Sequence, residues 1–438
     1  MNVVPQSADS NQTPDSHNLS GSTTPSLTDT EKYHKRGTHR LVSPDQTLER
    51  ITPLLGSFGI TRVANITGLD TIGLPVVSVY RPNARSLSVS QGKGLDLAAA
   101  KASGIMEAIE AHHAENARLP LRLASLAEIA LEGTVLDVAR LPRVQKAPLD
   151  PDRPLLWCEG QDLTSGAPVW VPYEVVHTNY TLPLTGHSGH FQMSSNGLAS
   201  GNHWLEAVSH GICEVVERDA LSLWSATGAF ADESRRLDLS SVEDPDCLEV
   251  VGRLQDAGQA VGVWSITTDI GLPVYACAIA DFGPNHLGQY YTSDGSGCHP
   301  VREVALLRAL TEAAQTRLTY ISGARDDAHR DFFEHSRQRV RVDKIRNLIL
   351  AMPETGGRCF TREPSSDTPR FEDDIALELT PLQAAGMTQV VAVNLGGHVA
   401  GIEVARIVIP GLEGLHDAPG YIPGARFLSL THTFKERL

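Results

Sequence analysis

The stretch Ser195–Asp219, SNGLASGNHWLEAVSHGICEVVERD, decides how this chain is read. A small, Gly-rich lead gives way at Asn202 to a long helical pattern. With Asn202 at zero and about 100° per residue, Glu206, Glu217, His210 and Glu214 fall between about 40° and 120°. Leu205, Val208, Ile212, Val215 and Val216 fall between about 220° and 320°. One face is therefore acidic and the opposite one apolar. The acidic face has no compensating Lys, and Glu214 and Glu217, three apart, repel each other on an isolated helix. An ordinary solvated face is one explanation. A cation held between the carboxylates is the other, because it reverses the sign of their interaction.

The pattern occurs twice more. Ser90–Glu115, SQGKGLDLAAAKASGIMEAIEAHHAE, carries Glu107 and Glu110, and its first half is so rich in Ala and Gly that it must approach other backbone closely. Pro300–Arg317, PVREVALLRALTEAAQTR, places Arg308, Glu312 and Gln315 within an arc of about 60°. Two Glu-x-x-Glu pairs and a Glu/Gln pair form a hard-oxygen donor set with no Cys or His component. Such a set suits Mg²⁺, which completes its shell with water and phosphate oxygens.

Other motifs are absent or incomplete. SQGKG lacks P-loop order, with Leu87 at the first Gly position and Gly94 at the Ser/Thr position. SDGSGCHP has Pro300 where a dinucleotide fingerprint needs its last Gly. SNGLASGN ends at a helix start, where free N–H groups can hold an anion, although a tight turn explains each Gly-rich stretch equally well. There is no Gly-x-Ser-x-Gly elbow, and His112–His113 and His187…His190 have no carboxylate at ligand spacing. The six cysteines (158, 213, 247, 277, 298 and 359) are scattered, which argues against a disulfide framework or a zinc site.

The chain has 438 residues, 41% of them hydrophobic, with 37 Lys+Arg against 52 Asp+Glu and a formal charge of −15. That is enough apolar material for a sizeable core, and the negative surface disfavours nucleic acid and anionic membrane. No apolar run is long enough to span a bilayer, and the N-terminus lacks signal-peptide order, so a cytoplasmic location is expected. Residues 1–33, rich in Ser, Thr, Asn, Asp and Pro, read as a disordered tail, with one folded unit over 34–438. Strands are expected at Pro75–Tyr80, Ser86–Ser90, Val169–Val171, Val261–Thr267, Val274–Ala280, Gln289–Ser293, Gln389–Asn394 and Val404–Ile409. Helices are expected from Ser43 to about Ser57 and over Asp96–Asn116, Asn202–Trp224, Pro300–Ser322 and roughly Asp326–Met352. The class is α+β, with largely antiparallel sheets packed with long helices.

Taken in order, SQGKG with its following ExxE, the SNGLASGN…ExxER-D stretch and RALTEAAQTR resemble the YcaO domain. RGTHRLVSP (Arg36–Pro44) and IPGLEG…PGYIPGAR resemble its standalone, TfuA-associated branch. The resemblance covers roughly Lys35 to the C-terminus and implies the YcaO fold. It also implies an enzyme that uses ATP to phosphorylate a backbone amide oxygen of a peptide or protein after a nucleophile has added to the carbonyl. By position, Glu107, Glu110, Glu214 and Glu217 would match Mg²⁺-binding carboxylates. Asn202, Glu206, Arg218 and Gln315 would match further nucleotide and Mg²⁺ contacts. Arg36 and Ser43 would match a Lys/Ser pair, with Ser43 also reading as a helix cap. Arg218 and Lys93 would neutralise charge during transfer.

The final stretch FLSLTHTFKERL lacks the Pro-x-Pro-x-Pro end common in azoline-forming members, and no fused recognition domain is expected. Both features favour thioamide formation with a TfuA-like partner. Azoline formation by a cyclodehydratase, or a non-catalytic scaffold that docks precursor peptide, are the alternatives. The resemblance also suggests a homodimer.

Overall fold

The computed structural model describes residues 30–435 apart from 145–148, 185–187, 286, 327, 329, 352, 354–355, 397–398 and 400; the side chains of 432–435 are not described. The expected tail therefore lies outside the described residues except at its end. There Thr30 and Lys32 are already anchored: Lys32 N donates to Pro369 O, and its buried ammonium lies 2.6 Å from Asp374. Ordered packing thus begins before residue 34.

Three antiparallel sheets carry the long helices. The first is a meander of Arg62–Asn65, Val76–Tyr80 and Val89–Lys93. The second, six-stranded, runs Arg122–Ala124, Leu155–Asp162, Val391–Asn394, Glu403–Val408, Leu198–Gly201, with Pro168–Pro172 also paired to Leu155–Asp162. The third places Val274–Asp281 between Gln259–Ser265 and Thr292–Cys298. This is the expected α+β architecture.

The helix Leu97–Glu115 lies on the first sheet at backbone contact. A Cβ on Gly92 would sit 2.1 Å from both Ala100 O and Gly104 N, so only Gly fits there. The Ala/Gly-rich half of that helix exists for this approach. The helix Trp204–Ser225 buries the apolar face read from its sequence: Leu205, Val208, Ile212, Val215 and Val216 are all in the core. It packs against Glu403–Val408, helped by Gly211, where a Cβ would meet the Ile407 side chain at 2.5 Å. The helix Arg302–Ser322 covers Thr292–Cys298, against which Gly295 and Gly297 leave no room for side chains.

Several expectations shift. The strand expected at Ser86–Ser90 is Val89–Lys93, three residues later, and so takes in all of SQGKG but Gly94. The Gln289–Ser293 strand becomes Thr292–Cys298. The opening helix runs Pro44–Ile51 and then tightens to a 3₁₀ segment, Thr52–Phe58, because Pro53 supplies no N–H to the α-ladder. The expected helix at 326–352 is two, Arg330–Ser336 and Arg339–Leu350, split where Gln338 turns to extended backbone; Met352 lies outside the described residues. Among the described residues no helix is long and apolar enough to cross a membrane.

Candidate functional site

The three carboxylate-bearing helices converge on one cavity of about 790 Å3, and the segments around Arg36–Pro44 and Leu415–Pro419 also line it. Of the residues singled out from sequence, Arg36, Lys93, Glu107, Glu110, Asn202, Glu206, Glu214, Glu217 and Arg218 line this cavity together. Ser43 and Gln315 do not. The Ser43 hydroxyl accepts from Gln46 N at 3.3 Å and Gln46 Oε1 accepts from Ser43 N at 3.0 Å, a complete capping box. Gln315 Nε2 donates to Gln91 O at 3.3 Å, tying its helix to the SQGKG strand.

The acidic residues differ in their partners. Both oxygens of buried Glu217 are engaged: Ser296 Oγ donates at 2.6 Å and Cys298 N at 3.0 Å, while Arg218 stands 3.6 Å away. Glu206 accepts from Leu41 N at 2.9 Å and from Asn202 N and Nδ2 at 3.3 Å, pinning the N-terminal segment to the start of its helix. Asn202 Oδ1 accepts from Thr47 Oγ1 at 3.0 Å, closing the same corner. Lys93 Nζ pairs with Glu312 at 2.7 Å.

Glu107, Glu110 and Glu214 are different, since protein surrounds them with few counter-charges. Burial pushes the Glu214 carboxyl up to about 7, Arg218 opposing and Glu217 adding to the rise. Burial likewise lifts Glu107 to about 7 against the pull of Lys93, although its side chain faces open cavity space. Glu110 is driven well above the usual range by burial and then by Glu214 and Glu107. Glu312 goes the other way: burial raises it, but Lys93 and Arg218 together hold it below its ordinary value. Three carboxyls are thus strained in their charged form, and a divalent cation would relieve them.

Among the described residues no three Asp, Glu, His or Cys side chains already surround a single point. The donor set fits an ion that takes one or two carboxylates and fills its shell from water and phosphate, which is how Mg²⁺ binds. The cavity also holds cations to face an anionic ligand: Arg40, Arg308 and Arg325 beside Lys93, Arg36 and Arg218. Arg40 and Arg325 had no signal in the sequence, because the N-terminal loop and the end of a helix carry no periodicity. Glu312 and Arg308 were visible as a helix face, but nothing in their spacing placed that face across the cavity from Glu214.

Residues 91–413 match the family model described as YcaO cyclodehydratase, ATP- and Mg²⁺-binding. An uncharacterized protein in the tfuA 3′ region of Rhizobium leguminosarum bv. trifolii is 35% identical over 411 residues, covering 91% of this chain and 93% of that one. An uncharacterized protein of Methanothermobacter thermautotrophicus is 34% identical over 374 residues, 85% of this chain and 94% of that one. Among solved structures, YcaO from Methanopyrus kandleri bound with AMPPCP and Mg²⁺ superposes with a TM-score of 0.70 at 22% identity, over 90% of this chain and 98% of that one. A heterocyclase in complex with substrate and cofactor superposes at 0.71 and 21% identity; this chain is matched over 90% of its length but spans only 56% of that one. At such identities the superpositions establish the shared fold.

Proposed function

The chain belongs to the YcaO family, and from that premise we propose that its acidic cavity binds ATP with Mg²⁺ to phosphorylate a peptide backbone amide, for thioamide formation. The observation that carries this reading is the convergence of Glu107, Glu110, Glu214 and Glu217, from two helices, with Lys93, Arg218 and Glu312 around one cavity. An amide oxygen leaves only as oxide or hydroxide; ATP supplies the phosphoryl group that turns it into phosphate.

The chain's own residues do the holding. A triphosphate is too negative to face carboxylates directly, so Glu107, Glu110, Glu214 and Glu217 would hold Mg²⁺. Arg218 and Lys93 would neutralise charge as the phosphoryl group moves. Glu206 and Asn202 fix the N-terminal segment that brings Arg36 to the cavity, and so take part in nucleotide binding through that wall. Ser43 and Gln315 support the same wall and the SQGKG strand from outside the lining.

In the thioamide reading sulfide adds to the carbonyl carbon, its oxygen takes the phosphoryl group, and phosphate departs with ADP as the other product. The relative encoded in a tfuA 3′ region supports a TfuA-like partner that presents peptide or sulfur. A cyclodehydratase description of the family supports the second reading, attack by a Cys, Ser or Thr side chain to give an azoline. Mass spectrometry of substrate incubated with enzyme, ATP, partner and sulfide separates them. Exchange of oxygen for sulfur makes the peptide heavier, whereas ring closure makes it lighter by one water. ATP consumption without either product would overturn both.

A further inference from the structure

Four cations at the cavity have a carboxylate partner: Lys93 with Glu312 at 2.7 Å, Arg40 with Glu206 and Arg218 with Glu217 at 3.6 Å, and Arg36 with Asp246 at 3.8 Å. Arg308 is built differently. Among the described residues no carboxylate lies within 4.0 Å of its guanidinium, and its buried Nε has no hydrogen-bond partner. Its one anchor is His210, whose Nδ1 stands 3.3 Å from Arg308 Nη1. A guanidinium has only hydrogens to give, so Nδ1 must accept, which fixes the imidazole in its neutral form with the hydrogen on Nε2. Burial, and then the nearby Arg308 and Arg40 charges, hold the His210 imidazole well below its usual range, in keeping with that form.

His210 lies one helical turn from Glu206 on one side and Glu214 on the other, on a face otherwise made of carboxylates. A Glu at 210 would orient Arg308 equally well, but it would also cancel its charge. From this contrast we propose that His210 is a positioning residue: a neutral acceptor that aims Arg308 while leaving its full positive charge for the phosphates of the nucleotide.

The inference rests on nucleotide binding in this cavity and deepens it. The test is calorimetric affinity for AMPPCP with Mg²⁺ in the intact protein, with melting curves as a folding control. H210A should weaken binding several-fold, and H210N, which keeps an acceptor near the Nδ1 position, should stay close to wild type. H210E should lose about tenfold or more and match Arg308→Gln. In an Arg308→Gln background, H210A should cost nothing further, which keeps the test decisive should H210E fold poorly. If H210E binds like wild type, or if the H210A and Arg308→Gln losses simply multiply, the proposal is wrong while the nucleotide site stands. If wild type itself takes up no AMPPCP with Mg²⁺, both readings fall together.

Discussion

Mg²⁺ and protons should compete for the three strained carboxyls, so nucleotide binding must weaken in acid. Burial lifts Glu214 and Glu107 each to about 7 and drives Glu110 well above its ordinary range, while Mg²⁺ needs all of them ionised. For one group with its midpoint at about 7, the ionised fraction changes about tenfold between pH 6 and pH 8, or about 1.4 kcal/mol per decade. Glu214 alone therefore predicts about a tenfold gain in affinity for AMPPCP with Mg²⁺ over that range. Glu107 would bring the pair to about 100-fold, an upper bound for these two, because its side chain opens to the solvent of the cavity and is screened. Glu110, also raised by burial, adds to that rise. The assay is calorimetry at pH 7 in buffers of different ionisation enthalpy. With Glu214 half-protonated, about half a proton should be released per nucleotide bound on its account, and the release from Glu107 and Glu110 adds to it. AMPPCP titrates in the same region, so its binding by Glu214→Gln serves as the baseline, and that variant should release measurably fewer protons than wild type. Equal proton release from wild type and Glu214→Gln, with the same pH profile, would refute the placement of the metal at these carboxyls.

The same charges set stability in the free protein. A folded-state carboxyl lifted from 4.5 to about 7 favours the native state below pH 4.5 and loses that contribution as pH rises through 7. Glu214→Gln should thus stabilise the metal-free protein by about 3 kcal/mol at pH 8 and by almost nothing at pH 4, read by urea unfolding at both pH values. Gln315→Ala should change nucleotide affinity less than threefold (about 0.7 kcal/mol), because Gln315 stands outside the cavity lining, whereas Glu312→Gln frees the Lys93 ammonium and should shift it markedly. Asp219→Asn should cost about 3 kcal/mol in urea unfolding: the fully buried carboxylate holds Arg426 through two bonds at 3.0 Å and accepts Glu413 N at 2.9 Å. Gly92→Ala should lose both stability and nucleotide binding, because its Cβ, 2.1 Å from two backbone atoms, must lift the helix that carries Glu107 and Glu110; calorimetry and thermal melting read the two effects together.

What could be read from sequence followed from periodicity, and what could not followed from contacts between distant segments. The acidic and apolar faces of Trp204–Ser225 sit where about 100° per residue puts them, since a helix packed on a sheet keeps its period. Leu155–Asp162 escaped notice because half of LLWCEGQD is polar, although it joins the centre of the largest sheet. Phe371–Ala384 is masked in the sequence by Pro381, a residue that normally breaks a helix and here gives up one backbone bond in the last turn. Within the site, the Glu residues announced themselves by repelling at helical spacing. Arg40, Arg325 and the Leu415–Pro419 segment did not, because their places in the cavity depend on tertiary closure. Ser43 is the instructive case: its spacing supports both a cap and a ligand, and the cap is the role its hydroxyl plays here, accepting from Gln46 N.

The geometry of the cavity depends on the absence of side chains as much as on their presence. Glu107 and Glu110 ride on a helix pressed against Gly92, Glu214 and Glu217 on one seated through Gly197 and Gly211, and Glu312 on one against Gly295 and Gly297. Each contact brings a helix axis to backbone distance from its sheet, so the carboxylates are set by rigid elements rather than loops. That rigidity keeps Glu110 buried and beside Glu214 and Glu107, and burial first, then those like charges, drives its carboxyl well above its ordinary range. A flexible site would let them separate and relax; this one holds them in an unfavourable arrangement that a divalent cation, with phosphate oxygens to complete its shell, turns into a favourable one.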